Sequence, residues 1–290
     1  MSFSARKDMN IINAMATRPK GNISDNSELL KIFCTLVVII LICIAIGHYA
    51  FKNGTLTCDH YILNTYLYVL LAFVLIFMLI LLNDKYGVFN KALDFFFYSS
   101  GSPFIAFIVM ILLIFGLSYA LINVDPKNIL ASNAIWLSLV VLITIILIPT
   151  IYFGRVTGVV GMAGLFTVAI VIITGLLGYY YGDKIITFDW DYYLRIALFA
   201  LIIVSFIGIF FITDATHAVN FIYAISILSL IIFVLLLLSY HKKLKENSEK
   251  CIDGQMVPNY PLESWKLVIK IVNVLQDLIR ILGIRKMRRY

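Results

Sequence analysis

Asp214 and His217 stand where the apolar segment IGIFFITDATHAVN turns, three residues apart and so within one helical turn of each other. A carboxylate at such a position either caps the helix that follows or is an ionisable group tuned by its surroundings. A second set of chemically able residues lies near the end of the sequence. Glu263, Lys266, Lys270, Asn273, Asp277 and Arg280 recur at steps of 3 and 4, which puts them on one side of a helix. Trp265, Val268, Ile269, Val272, Leu275, Ile279 and Leu282 fill the other side. Cys58-Asp59-His60, with His48 nearby, offers metal-binding atoms without any zinc-ligand spacing, so no metal is expected. No Gly-x-Ser-x-Gly elbow, His-Glu-x-x-His pair or phosphate-cradling glycine loop occurs, so no catalytic residue, no cofactor and no enzymatic activity are expected.

The elements that must position these residues are apolar. Of 290 residues, 62% are hydrophobic and 13% charged, and the mean hydropathy of +0.97 excludes a water-soluble globule. Seven runs are long enough for a hydrocarbon layer of about 30 Å: Leu29–Phe51, Tyr61–Leu82, Pro103–Ile122, Ile129–Phe153, Val156–Tyr181, Tyr193–Thr213 and Ala218–Tyr240. Lys31 and Arg195, each near a run's end, are the sole Asp, Glu, Lys or Arg residues within them. That argues against a charge relay of the kind ion-coupled pumps carry in mid-membrane. The last run has no Lys for a retinal Schiff base.

The expected fold is therefore an all-α integral membrane bundle of about seven spans with a C-terminal amphipathic helix. Residues 1–28 form a polar basic arm, 29–240 the bundle, 241–258 a basic linker, and 259–290 the amphipathic helix with its basic tail. Asp25 and Glu28 suit a capping box, and Ser102-Pro103 a helix start. Pro149 should kink the fourth run. Gly154 and Gly158 form a small-xxx-small pair, Gly161 and Gly164 follow, and Gly175, Gly178 and Gly182 close the fifth run, which points to that run as the bundle centre. The striped helix, opened by Pro261 and closed by Gly283, would lie in the membrane interface or seal a groove of its own bundle.

Arg6, Lys7, Arg18 and Lys20 make the arm a segment for a partner to order. Arg285, Lys286, Arg288 and Arg289 suit anionic headgroups or an acidic partner. The lipid bilayer and proteins of a larger assembly are the expected partners, and nothing points to specific nucleic-acid binding. Basic residues at both ends imply one shared face, whereas seven crossings would separate them. Cys34 and Cys43 fit a core role, and Cys58 and Cys251 could bridge only within one compartment.

RIALFALIIVSFIGIFFITDATHAVN resembles the sixth helix of the Bax inhibitor family of multi-spanning membrane proteins, a Phe-rich span ending in an Asp-Thr turn. NYPLESWKLVIKIVNVLQDLIRILG resembles that family's closing helix. The resemblance implies a calcium leak gated by a pH-sensitive pair of aspartates, with Asp214 as the first. Aligning Asn273 with the family's Asn puts Lys270 where the second aspartate would be. Asp214 and Lys270 are then expected as a fixed charge pair without a pH switch, with His217 and Asn273 beside them. Relatives of this kind also occur in large DNA viruses with an internal membrane under a capsid. The leading expectation is a membrane-embedded structural or anchoring component of such an assembly, a virion membrane included. A Bax-inhibitor-like cation leak or cell-death regulator is the alternative.

Overall fold

The structure, a computed structural model, describes residues 26–52, 54–95, 103–186, 190–211 and 214–289. Among these residues the chain is helical apart from a small hairpin and its connections. The elements are α1 (Asn26–Tyr49), β1 (Phe51–Lys52), β2 (Thr55–Leu56), α2 (Tyr61–Tyr86), α3 (Asn90–Leu93), α4 (Pro103–Asn123), α5 (Ile129–Thr157), α6 (Val160–Ile185), α7 (Trp190–Phe211), α8 (Ala215–Ile252) and α9 (Tyr260–Arg289). β1 and β2 pair antiparallel, with Phe51 opposite Leu56 and Lys52 opposite Thr55.

Each apolar run of the sequence is helical over most of its described residues. Six are long and apolar enough to cross a membrane, and α4 contributes a shorter apolar helix, Ile108–Asn123. Their lengths follow from lipid as solvent, because a backbone that cannot bond to water must satisfy its own N–H and C=O groups. Side-chain hydroxyls obey the same constraint. Thr65, Thr144, Thr157, Thr167 and Thr174 each donate to a carbonyl four residues earlier in their own helix. Large apolar side chains such as Phe33, Ile44, Leu112, Phe115, Leu165 and Phe199 lie exposed, as a lipid-facing surface requires.

The chain forms two compact units. The described residues of 19–148 and 244–268 make the first, with Tyr61, Ala72, Leu121, Leu139, Leu244, Tyr260 and Leu267 in its core. Those of 149–243 and 269–290 make the second, around Phe153, Ala163, Val219, Leu237, Val272 and Ile279. The boundary within α5 falls at Pro149, inside the helix.

Several expectations change. The stretch 241–258, read as a linker, is helical through Ile252 because α8 continues past its apolar part. The fifth run, now α6, is not central, since Leu165, Val168, Ile172, Leu176 and Tyr180 on it are exposed. α9 takes the interior place instead: from residue 261 to 284 none of its residues is exposed. Cys34 and Cys43 are free thiols on the exposed surface of α1 rather than core residues. Cys58 and Cys251 form a disulfide across 193 residues of sequence, with Cα atoms 5.6 Å apart. The capping box at Asp25 and Glu28 and the basic arm with Arg6, Lys7, Arg18 and Lys20 lie outside the described residues and side chains.

Candidate functional site

The polar stripe of α9 faces protein rather than water. A side chain that cannot reach solvent must find a partner in the bundle, and each end of α9 solves this differently.

In the first unit, Glu263 is 3% exposed. It accepts from Lys266 Nζ at 2.8 Å and lies 3.5 Å from Asn247 Nδ2. Trp136 Nε1 donates to Ser264 Oγ at 3.0 Å, and Trp265 Nε1 to Ser118 Oγ at 3.1 Å. Tyr260 is fully buried, its ring 5.5 Å from that of Tyr61 and 6.2 Å from that of Tyr68. Its hydroxyl donates to the Thr57 carbonyl and accepts from Asn64 Nδ2.

In the second unit the stripe meets α8. Lys270 Nζ sits 4.4 Å above the centroid of the Tyr240 ring, a cation–π contact that suits an ammonium with little water around it. Asn273 spends its amide on the Ile269 carbonyl at 2.6 Å. Asp277 is 3% exposed. Its Oδ1 is 3.9 Å from Arg280 Nη1, while Oδ2 has no hydrogen-bond partner among the described residues. Ser229 on α8 is its polar neighbour, and Gln276 Nε2 next to it is likewise unsatisfied. A carboxylate held in this way, with half its acceptor capacity unused, has a free oxygen to offer a proton or a cation.

Small residues let α6 approach α8 within this unit. A Cβ on Gly178 would lie 2.6 Å from His241 Cβ and 2.8 Å from the Leu238 carbonyl, and one on Gly182 2.9 Å from Lys242 Cβ. Lys242 also reaches Asp183 at 3.4 Å and the Ile186 carbonyl at 3.2 Å. Gly154 packs tightly against Val160 and Ile279 side chains, and Gly158, with φ +65°, lies near Lys286. A Cβ on Gly161 or Gly164 would point into open space.

Asp214 and Lys270 are not brought together. Asp214 caps α8: its Oδ2 accepts the His217 backbone N–H at 3.1 Å and lies 2.8 Å from His217 Nδ1. Both side chains are exposed. The backbone hydrogen bond first, then the ring, holds the Asp214 carboxyl below its ordinary value. Its contacts among the described residues all lie in its own turn, so the expected ion pair with Lys270 does not form. Arg285, Lys286 and Arg289 are exposed at the end of α9, and Arg288 bonds to Asn220 and lies 5.4 Å from the Tyr223 ring centroid.

The sequence leaves the Cys58–Cys251 bridge open and gives Asp277 no role of its own. Asp277 is visible in the stripe, seven residues and two turns after Lys270, but the stripe does not show which of its members is buried. Among the described residues, no group of three or more His, Cys, Asp or Glu side chains is placed to hold a metal ion.

A family model described as "Inhibitor of apoptosis-promoting Bax1" matches residues 58–287. No curated protein and no solved structure matches the chain.

Proposed function

Since the chain belongs to the Bax1-inhibitor family, we propose that this multi-pass membrane protein is a non-enzymatic cation leak. Calcium is the first ion to test, and Asp277 is the carboxylate that meets the ion or a proton. The supporting observation is the burial of Asp277 on an interior helix with one oxygen unused. Ionisable groups at such depth are costly and belong to ion or proton pathways more often than to packing. Lys270, held over Tyr240, supplies a fixed positive charge two turns away on the same face, which would hold back permeating cations and keep the leak slow. The test is calcium flux in proteoliposomes. Wild-type protein should conduct, and Asp277→Asn should lower the rate by about tenfold, the effect of roughly 1.4 kcal/mol on one step. Equal flux in empty, wild-type and variant liposomes would remove the reading.

The anchoring function expected from the sequence keeps one observation in its favour, the exposed basic end of α9 with Arg285, Lys286 and Arg289. Such a cluster suits anionic headgroups or an acidic protein of an assembly, a viral internal membrane included. Deleting residues 2–24 should then leave insertion intact and abolish retention in that assembly. Full retention of the truncated protein would exclude a role for the arm.

A further inference from the structure

We infer that the Cys58–Cys251 disulfide is a redox clasp on the first turns of α9, set on the oxidising side of the membrane. Its position in the chain gives the side. Between the two cysteines, among the described residues, lie α2, α5, α6, α7 and α8, each long and apolar enough to cross a membrane, and α4, a helix of 21 residues whose apolar stretch Ile108–Asn123 is shorter. With α4 counted as a crossing they make six, an even number, which puts both cysteines on the same face, as the disulfide demands. Disulfides persist where the compartment is oxidising, so that face is exoplasmic or lumenal.

Its place in the first unit gives the clasp. The loop that holds Cys58 also receives α9: the hydroxyl of Tyr260, the first residue of that helix, donates to the carbonyl of Thr57, the residue before Cys58. Asn64 Nδ2 secures the same corner through the carbonyls of Tyr49 at 3.0 Å and Asp59 at 3.1 Å and through Tyr260 Oη at 3.3 Å. Cys251 ends α8, and the exposed turn at 252–255, where Gly254 has φ +72°, leads back to Tyr260. The disulfide therefore closes a short circuit running from the Cys58 loop to the end of α8, through the turn to α9, and back by the Tyr260 hydrogen bond. Cutting it leaves the start of α9 held by non-covalent contacts, among them the Tyr260 and Asn64 hydrogen bonds, the Asn247–Glu263 contact and ring packing.

Chemical access is one-sided. Cys251 is 2% exposed whereas Cys58 is half-buried, so an incoming thiolate attacks Cys58 Sγ and the bonding pair leaves with Cys251 Sγ, which takes up a proton. The second thiol of a dithiol reductant then attacks the mixed disulfide and releases the Cys58 thiol. The protein gains two electrons and two protons, and the dithiol becomes a disulfide. An oxidising thiol–disulfide partner of the same compartment reverses the step.

The clasp is tested by hydrogen exchange on the full-length protein in nanodiscs, before and after treatment with a dithiol, following residues 259–268 and, as an internal reference, 269–284. Reduction should speed exchange in 259–268 by at least about tenfold, a modest share of what losing a long-loop disulfide releases, and leave 269–284 as it was. The pair Cys58→Ser with Cys251→Ser should show the fast pattern without reductant and no further response to it. Unchanged exchange in 259–268 on complete reduction overturns the proposal. So does loss of protection in both segments together, which would make the disulfide a support of the whole fold rather than a local clasp.

Discussion

Two aspartates divide the chemistry between them. Asp214 is exposed and bonded within its own turn, and its carboxyl is held below the ordinary value of 3.8. A depressed carboxylate contributes stability that is fully present above its unfolded value and is lost as pH falls through the folded one. Comparison of wild type with Asp214→Asn in thermal unfolding should thus give a constant difference between about pH 5 and about pH 7, shrinking only below about pH 4. A difference that changed near neutrality would restore Asp214 as a physiological pH sensor. Asp277 is the opposite case. Its charge is buried and half-satisfied, while its neighbour Arg280 keeps 40% of its side chain exposed and can turn to water when released. Removing one partner of a buried pair is costly when the other charge stays buried, a penalty that Arg280 avoids by reaching water. Asp277→Asn should therefore hold or raise the melting temperature while flux falls, and a fall in both would mark Asp277 as structural. Asp214 was legible in the sequence as one of two alternatives, cap or tuned acid, and the hydrogen bonds to His217 decide for the cap. Asp277 was legible as a helical position but not as a site, because a periodic stripe reports which side of a helix is polar and not what that side meets.

Helices carry the same lesson. The apolar runs needed no tertiary information, because membrane length and backbone satisfaction fix them. The place of each helix in a unit did not follow, because in lipid both inner and outer faces are apolar. α6, dense in glycine and expected at the centre, is largely exposed, while α9, dense in charge, takes the second of its two expected places, packed against its own bundle. Glycine alone could not separate close approach from open space. Gly178→Ala should destabilise by roughly 1–3 kcal/mol, since its Cβ would meet the Leu238 carbonyl as well as His241, and backbone cannot step aside cheaply. Gly161→Ala and Gly164→Ala point into open space and should stay within about 0.5 kcal/mol of wild type. Melting in detergent with a fluorescent thiol-independent reporter checks all three. Equal losses would return the packing role to the whole glycine series.

Across the whole chain, seven apolar runs and two basic ends are reconciled if α9, which is not itself one of the helices apolar enough to count as a span, also crosses. If α9 also crosses, the chain makes eight passages, and the start of α1 and the end of α9 share the face opposite the disulfide. The helix is long enough: its 30 residues span about 45 Å at 1.5 Å per residue, more than a hydrocarbon core of about 30 Å. The charges agree with this count. Lys85, Lys91, Arg155, Arg285, Lys286, Arg288 and Arg289 fall on the face without the disulfide, the cytosolic one by the positive-inside rule. Asp59, Asp125, Asp183, Asp191 and Asp253 fall on the other, together with Lys52, Lys127, Lys184 and Arg195. Lys242, Lys243, Lys245 and Lys250 run against the trend, but they share the last turns of α8 with Glu246 and Glu249. That helix, at 38 residues or about 57 Å, outreaches the hydrocarbon and can hold them beyond it. Single cysteines placed by Ser27→Cys, Lys127→Cys and Arg289→Cys, with Cys34 and Cys43 changed to Ala, report the sides directly. An impermeant maleimide added to sealed, uniformly oriented vesicles should label positions 27 and 289 from one side and 127 from the other. Labelling of 127 and 289 from the same side would mean that α9 turns back within the bundle, leaving seven passages and its basic end on the oxidising face.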